Sequence, residues 1–268
     1  MKARKTPQAY VVVDTETTGL SVTEDHILEI AALRFEGKRC VDRFVALIQS
    51  DRPCSEEAFA CHGITPQELQ EHGIPPIEAF QRFLDFAGSL PLVAHNGLAF
   101  DYPLILNHLQ RLGMDSASAP LVDTLYLVQE HLGGVWGSIS LEALADQYGI
   151  EVERAHRAES DCETTAEIYQ RILKKESDLS AHWKSCGSLS FESFSTLPAP
   201  FTALSRAMKD GTKIQIRYQS KDKPPSDRWI QPLRILVQRD LKLSIEALCL
   251  QDNVAKHFRL DRIEKVFE

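Results

Sequence analysis

No apolar stretch in these 268 residues approaches the roughly 18 needed to cross a bilayer as a helix. The basic start Met1-Lys2-Ala3-Arg4-Lys5 is followed only by Tyr10–Val13 before acidic residues begin, too short for the apolar region of a secretory signal. No membrane partner is expected, and a cytoplasmic location is. The six cysteines (Cys40, Cys54, Cys61, Cys162, Cys186, Cys249) contain no C-x-x-C pair, and Cys61-His62 lacks a second pair at zinc-finger spacing. That pattern argues for reduced, packed thiols and against a disulfide frame or a zinc site. No internal repeat is visible.

Positive charge is scarce but unevenly so. Residues 200–268 carry 14 Lys/Arg against 9 Asp/Glu, while the preceding 199 carry 16 against 29. A basic tail on an acidic body points to two domains with different electrostatic roles, and basic surface is the usual footprint of a polyanion.

The first part mixes strand and helix signals. Ala9–Asp14, Ile27–Phe35 and Cys40–Ile48 read as strands, with Gly37-Lys38 as a hairpin turn. Thr65-Pro66-Gln67-Glu68 has the cap, the N1 proline and the glutamate of a capping box. Ile77–Ala87 is amphipathic, Leu90–Ala94 is a short buried strand, and Ala99–Leu112 is a helix ending at Gly113. Leu121–Val122 leads through Asp123 to another helix, and Ser140–Tyr148 and Glu159–Leu173 follow. The order implies a mixed α/β sheet wrapped by helices. Residues 177–199 have linker composition, which sets expected domains at 1–176 and 200–268. The second domain opens with a helix over Phe201–Lys209, then strands at Lys213–Gln219, Arg228–Val237 and Leu241–Leu250, a small β-rich unit.

Four carboxylates and a histidine stand at the ends of these elements. Asp14-x-Glu16 closes a strand, so both side chains fall on one face. Asp101 falls in the first turn of the helix after a second buried strand, and Asp161 near the start of the last long helix. Carboxylate oxygens without Cys or His at similar spacing suit Mg²⁺ or Mn²⁺ better than Zn²⁺. His156 stands five residues before Asp161, and a loop imidazole beside metal-bound water can take its proton. Thr17-Thr18-Gly19 adds hydroxyls and a turn open to close approach by a ligand.

With these segments on the page, the chain resembles a known family. Asp14-x-Glu16-Thr17-Thr18-Gly19-Leu20, His95-Asn96-Gly97…Phe100-Asp101 and His156-x-Ala158-x-x-Asp161 look like the three motifs of DEDDh 3′–5′ exonucleases. These are relatives of the proofreading subunit of bacterial DNA polymerase III, with a ribonuclease H-like fold. A tyrosine class carries Tyr four residues before the last Asp; Arg157 stands there, which indicates the histidine class. The resemblance implies that Asp14, Glu16, Asp101 and Asp161 hold two Mg²⁺ (or Mn²⁺) ions and that His156 is the general base. It also implies that Thr17, Thr18 and Leu20 contact the 3′-terminal nucleotide. Cys61-His62-Gly63-Ile64-Thr65 resembles a further family segment, which implies Ile64 against the terminal base and Asn96 ordering the loop around Asp101, while His62 either contacts substrate or orders its own loop.

The tail is similar to a WYL domain, with an Sm-like β-barrel core, through Lys213–Tyr218, Arg228–Leu233 and His257–Ile263. By register its name-giving Trp-Tyr-Leu falls near Leu243-Ser244-Ile245, where the aromatic groups are gone. Arg217, Arg228, Arg234, Arg259 and Arg262 remain as candidate nucleic-acid contacts, since guanidinium groups match phosphate. The expectation is a 3′–5′ exonuclease on single-stranded nucleic acid, DNA before RNA. Its alternatives are an exoribonuclease or a non-catalytic nucleic-acid sensor. Oligomeric state is open, a homodimer included.

Overall fold

The β-branched run near the start of the chain becomes the spine of a six-stranded sheet. The computed structural model describes residues 9–115, 119–128, 131, 139–152, 155–175, 184–185, 197, 199–221 and 223–267. Strand β1 (Ala9–Thr17) pairs antiparallel with β2 (Ile27–Glu36) and parallel with β4 (Leu92–Ala94). The order is β3-β2-β1-β4-β5-β6, with β3 (Arg39–Leu47), β5 (Pro120–Asp123) and β6 (Lys184–Ser185). Because β1 is central, alternate side chains feed two cores, so a continuous apolar run is what the position requires. Tyr10 and Val12 pack with Leu144 of α6 (Leu141–Tyr148) and with Cys162, Ala166 and Tyr169 of α7 (Ala158–Lys175). Val11 and Val13 pack with Phe80 and Phe83 of α3 (Pro76–Ala87) and with Leu104 and Leu109 of α4 (Asp101–Leu112).

Three details differ from the sequence reading. Helix α1 (Glu56–His62) was not expected, because its seven residues are mostly exposed and show no apolar stripe. Its end signals are clear in retrospect: Ser55 accepts from the Ala58 N–H, and Gly63 closes it at φ 67. Helix α2 (Pro66–His72) has the Thr65 cap, but the Glu68 carboxylate faces Arg157 at 3.4 Å. Helix α4 starts at Asp101, two residues late, because the Ala99 and Phe100 N–H groups close a turn on the Asn96 carbonyl. Asp123 caps the short α5 (Thr124–Leu127). Of the expected linker, β6, Leu197, Ala199 and nothing else lies within the described residues. β6 pairs with β5, and Leu197 is buried in the second core.

Helix α8 (Thr202–Asp210) leads into a separate antiparallel sheet of order β10-β9-β8-β7-β11. Its strands are β7 (Ile214–Tyr218), β8 (Ser226–Val237), β9 (Leu243–Cys249), β10 (Val254–Arg259) and β11 (Ile263–Phe267). Ile214, Ile216 and Tyr218 point inward, as the alternation predicts. β9 begins at Leu243 because Leu241 sits in the preceding turn at φ 58, a left-handed conformation that no strand continues.

Helix α4 joins the two sheets. Leu106 belongs to the second core, and Leu241 from the β8–β9 turn packs against both. Asn107, fully buried, donates to the carbonyls of Val22 and Val237 at 2.9 Å each and accepts from the Val237 N–H at 2.8 Å. One amide side chain thus satisfies backbone groups from both sides of the contact. Replacing Asn107 with Ala strands those groups in a dry environment. Chemical denaturation of Asn107→Ala should show a loss of about 3 kcal/mol; an unchanged midpoint would mean the contact is not held by this side chain.

Candidate active site

At the carboxyl end of β1 the side chains alternate between two helical layers, and this sorts the acids. Asp14 and Glu16 lie on the α7 face, where the first turn of α7 delivers Asp161. Carboxylate oxygens of Asp14, Glu16 and Asp161 all lie within 4.8 Å of one another. Thr15, on the other face, donates to Asp101 Oδ1 at 2.7 Å and so ties the start of α4 to the same strand end. Asp101 is 3% exposed.

Packing acids this closely penalises their ionised forms. Burial, then the charges of Asp101, Asp161 and Glu16, raises the Asp14 carboxyl well above its ordinary range. Burial with Asp161 and Glu29 pushes Glu16 up to about 8. Burial also raises Asp101, against the pull of the Thr15 hydroxyl, and raises Asp161, against the pull of His156. An all-oxygen set with unrelieved negative charge fits a hard divalent cation.

The histidine loop is fixed by groups that sequence reasoning missed. Glu29 is 2% exposed on β2, opposite Glu16 in register. It takes the Arg157 guanidinium, with Nε at 3.0 Å, and accepts the Ala158 N–H at 3.0 Å at the start of α7. The signal was present: a lone acid inside the apolar run Ile27–Phe35. His156 itself adopts φ 58, its Nε2 lies 2.5 Å from Glu142 Oε1 on α6, and its backbone N–H bonds Asp161. The Glu142 carboxylate accepts from Nε2, which leaves Nδ1 as the ring's acceptor.

The remaining expected positions divide into surface and scaffold. A cleft of about 980 Å³ runs along Thr15–Leu20, Arg52–Ser55, Cys61, His62 and Phe100. Leu20 stands at its rim, 77% exposed. The Thr17 hydroxyl donates to the Gly19 carbonyl, and that of Thr18 donates to Asp25 while accepting the His26 N–H. Gly19 is needed for a reason internal to the fold: a Cβ there would meet Asp25 Oδ2 at 2.7 Å, so the close neighbour is Asp25 and not a ligand. His62 is 3% exposed, its Nε2 facing the Thr17 carbonyl at 3.2 Å and its Nδ1 accepting from the Ile64 N–H at 2.9 Å. Burial lowers its pKa, in keeping with a neutral ring that ties α1 to the end of β1. Ile64 is 1% exposed and offers a base little surface.

Asn96 orders the Asp101 loop through its backbone. At φ 60 it directs its N–H to Asp123, which also accepts from Leu98 and Leu125, each at 2.9 Å. His95 braces that loop from Thr124 and the Ile139 carbonyl. Neither Asp123 nor the His95 contacts could be inferred without the fold.

In the second sheet, Arg217 pairs with Asp227, Arg234 with Glu246, and Arg259 with Asp240 and Asp261. Their charge is largely balanced internally. Arg228 bonds Ser226 at 3.1 Å and lines a cavity of about 790 Å³ with Lys221, Lys223 and Lys256. Arg262 lies in a 3₁₀ turn, where its carbonyl accepts from Gln219.

An exonuclease family model matches residues 11–169, and a WYL domain model matches residues 200–268. The "DNA polymerase III PolC-type" protein of Bacillus subtilis (strain 168) is 34% identical over 168 residues, covering 62% of this chain and 12% of that protein. That of Caldanaerobacter subterraneus subsp. tengcongensis is 35% identical over 167 residues, with the same coverage. The chain thus spans about an eighth of these relatives. Among solved structures, exonuclease X in complex with 5′ overhanging duplex DNA has a TM-score of 0.52 and 25% identity, covering 65% of this chain and 96% of that one. E. coli exonuclease I in complex with a dA16 oligonucleotide has a TM-score of 0.58 and 18% identity, covering 90% of this chain and 55% of that one. These likenesses lend no support to a homodimer. Among the described residues no helix is long and apolar enough to cross a membrane.

Raised carboxyl pKa values carry a stability consequence with a definite sign. A folded state that holds protons its unfolded chain has lost becomes less stable as pH rises, here from the ordinary carboxylate range to about 8. A bound cation relieves the same repulsion. Thermal melts in chelator should therefore fall between pH 5 and pH 8, and Mn²⁺ should raise the midpoint more at pH 8 than at pH 5. Equal Mn²⁺ effects at both pH values, or an undiminished effect in Asp14→Asn, would contradict a cation site here.

Proposed function

The chain belongs to the exonuclease family, and from that premise we propose a divalent-metal-dependent 3′–5′ exonuclease that removes nucleoside 5′-monophosphates from single-stranded DNA ends. The observation that carries this reading is the convergence of Asp14, Glu16 and Asp161, with Asp101 beside them, at the head of an open cleft. Asp14, Glu16, Asp101 and Asp161 would hold two Mg²⁺ or Mn²⁺ ions. Bound there, the ions would lower the pKa of the attacking water and stabilise charge on the leaving oxygen.

The protein's own groups account for the rest. His156 accepts the water's proton at Nδ1, while Glu142 holds Nε2 and stabilises the imidazolium that forms. Glu29 and Arg157 fix the loop that carries this histidine. The exposed Leu20 side chain and the Phe100 ring bound the cleft in which the terminal nucleotide lies, and Thr17 and Thr18 keep the Leu20 loop in shape. Single-stranded DNA is favoured because the exonuclease I structure to which the chain is similar holds a dA16 oligonucleotide, and the exposed Leu20 side chain offers an apolar face to a terminal base. Matched DNA and RNA oligomers in single-turnover assays test that preference.

His156→Ala should reduce kcat by about 10²–10⁴ with little change in oligonucleotide affinity. Asp14→Asn should remove cleavage while leaving the melting temperature in chelator the same or higher. Near-normal turnover in either variant would sink the two-metal, histidine-assisted reading.

A further inference from the structure

The cleft has a charge problem that the nuclease residues do not solve. Its one cationic lining residue among those described, Arg52, is bonded to Asp25 at 2.8 Å. A strand leading to the site brings a phosphate for each nucleotide, towards a body whose first 199 residues carry a surplus of acids. Beyond the cations at the scissile bond, an unneutralised positive group is required along the approach.

The β8–β9 turn of the second sheet brings one. This turn is seated twice on the nuclease, through the buried Asn107–Val237 bonds and through Leu241, which packs against both cores. Holding a leucine at φ 58 costs free energy, and here it fixes the direction of the turn. Gln238 and Lys242 close it at 2.9 Å. The turn carries two cations. Lys242 is bonded to Asp261 at 2.9 Å, and Asp240, beside Arg239 in sequence, is taken by Arg259 at 2.6 Å. Arg239 is exposed, with no carboxylate partner among the described residues. Its guanidinium lies 5.6 Å from the centre of the Phe100 ring and donates to the Leu20 carbonyl. Leu20 and Phe100 are the rim of the cleft.

We propose that Arg239 is a substrate-binding residue supplied by the second domain, which grips a phosphate of the single strand on the 5′ side of the scissile one. The proposal rests on the exonuclease reading above. One of the five guanidinium N–H donors is used on Leu20, which leaves others for phosphate oxygens. Its cation–π contact with the Phe100 ring favours the group's position without neutralising it.

The test uses the full chain with Arg239→Gln and Arg239→Lys. Two substrates are compared: a single-stranded DNA 15-mer, and the p-nitrophenyl ester of thymidine 5′-monophosphate, which has no upstream phosphate. Arg239→Gln should raise KM for the 15-mer about 10-fold, the scale of one charged hydrogen bond. It should leave hydrolysis of the ester unchanged, and Arg239→Lys should recover much of the loss. Binding of the 15-mer to the cleavage-incompetent Asp14→Asn protein, read by fluorescence anisotropy, should lose about 0.7 of its logarithmic salt slope when Arg239→Gln is added. Unchanged KM and salt slope would overturn the proposal, as would parallel loss on both substrates, which would make Arg239 a structural brace. If the unaltered protein cleaves neither substrate, the exonuclease reading fails, and the anisotropy slope still decides the role of Arg239.

Discussion

Carboxylates packed at one strand end repel one another, and much of the first domain is arranged to hold them there. The strand supplies Asp14 and Glu16 on one face and, through Thr15, grips Asp101 from the other. Helix α7 is pinned by Glu29 at its first N–H, so that Asp161 arrives within 4.8 Å of both strand acids. Two apolar cores on either side of β1 supply the burial that makes the repulsion strong. The same burial gives a cation something to relieve. Stability and metal affinity are opposite sides of one electrostatic quantity, as at many sites where strain and function coincide.

The second domain is joined to this arrangement through helix α4. That helix begins with a site acid, Asp101, and one turn and a half later presents Leu106 and Asn107 to the other sheet. The WYL domain therefore does not hang from a linker at an arbitrary angle. Its β8–β9 turn sits against Leu20 and Phe100, the outer boundary of the cleft. Charge is divided accordingly: under the proposed function the acidic body would hold cations at the scissile bond, and the basic domain would face the rest of the strand. Three of its seven arginines, Arg217, Arg234 and Arg259, are balanced within the sheet by Asp227, Glu246, Asp240 and Asp261.

The sequence made the four candidate site acids legible because each lies at the end of a strongly patterned element. The period of two in β1 put Asp14 and Glu16 together, and the helical stripes placed Asp101 and Asp161 at N-terminal turns. What was not legible depends on pairing between distant elements. Glu29 is one acid among many until β2 lies beside β1, and Glu142 has no meaning before α6 faces the histidine loop. Thr17, Thr18 and His62 looked like ligand contacts, yet their polar atoms are used within the fold. Gly19 looked open to a ligand and is occupied by Asp25. The arginines of the tail were chosen by type alone, and only contacts between the domains single out Arg239, which no pattern distinguishes from its neighbours.

Everything in this reading turns on a strand entering the cleft 3′ end first. The most direct measurement is a time course on one single-stranded DNA oligonucleotide labelled at either end, with Mg²⁺ or Mn²⁺ present. The 5′-labelled strand should shorten one nucleotide at a time, and the 3′-labelled strand should release its label as mononucleotide from the earliest points. Intact strands, internal cuts, or mononucleotide released first from the 5′ label would contradict a 3′–5′ exonuclease.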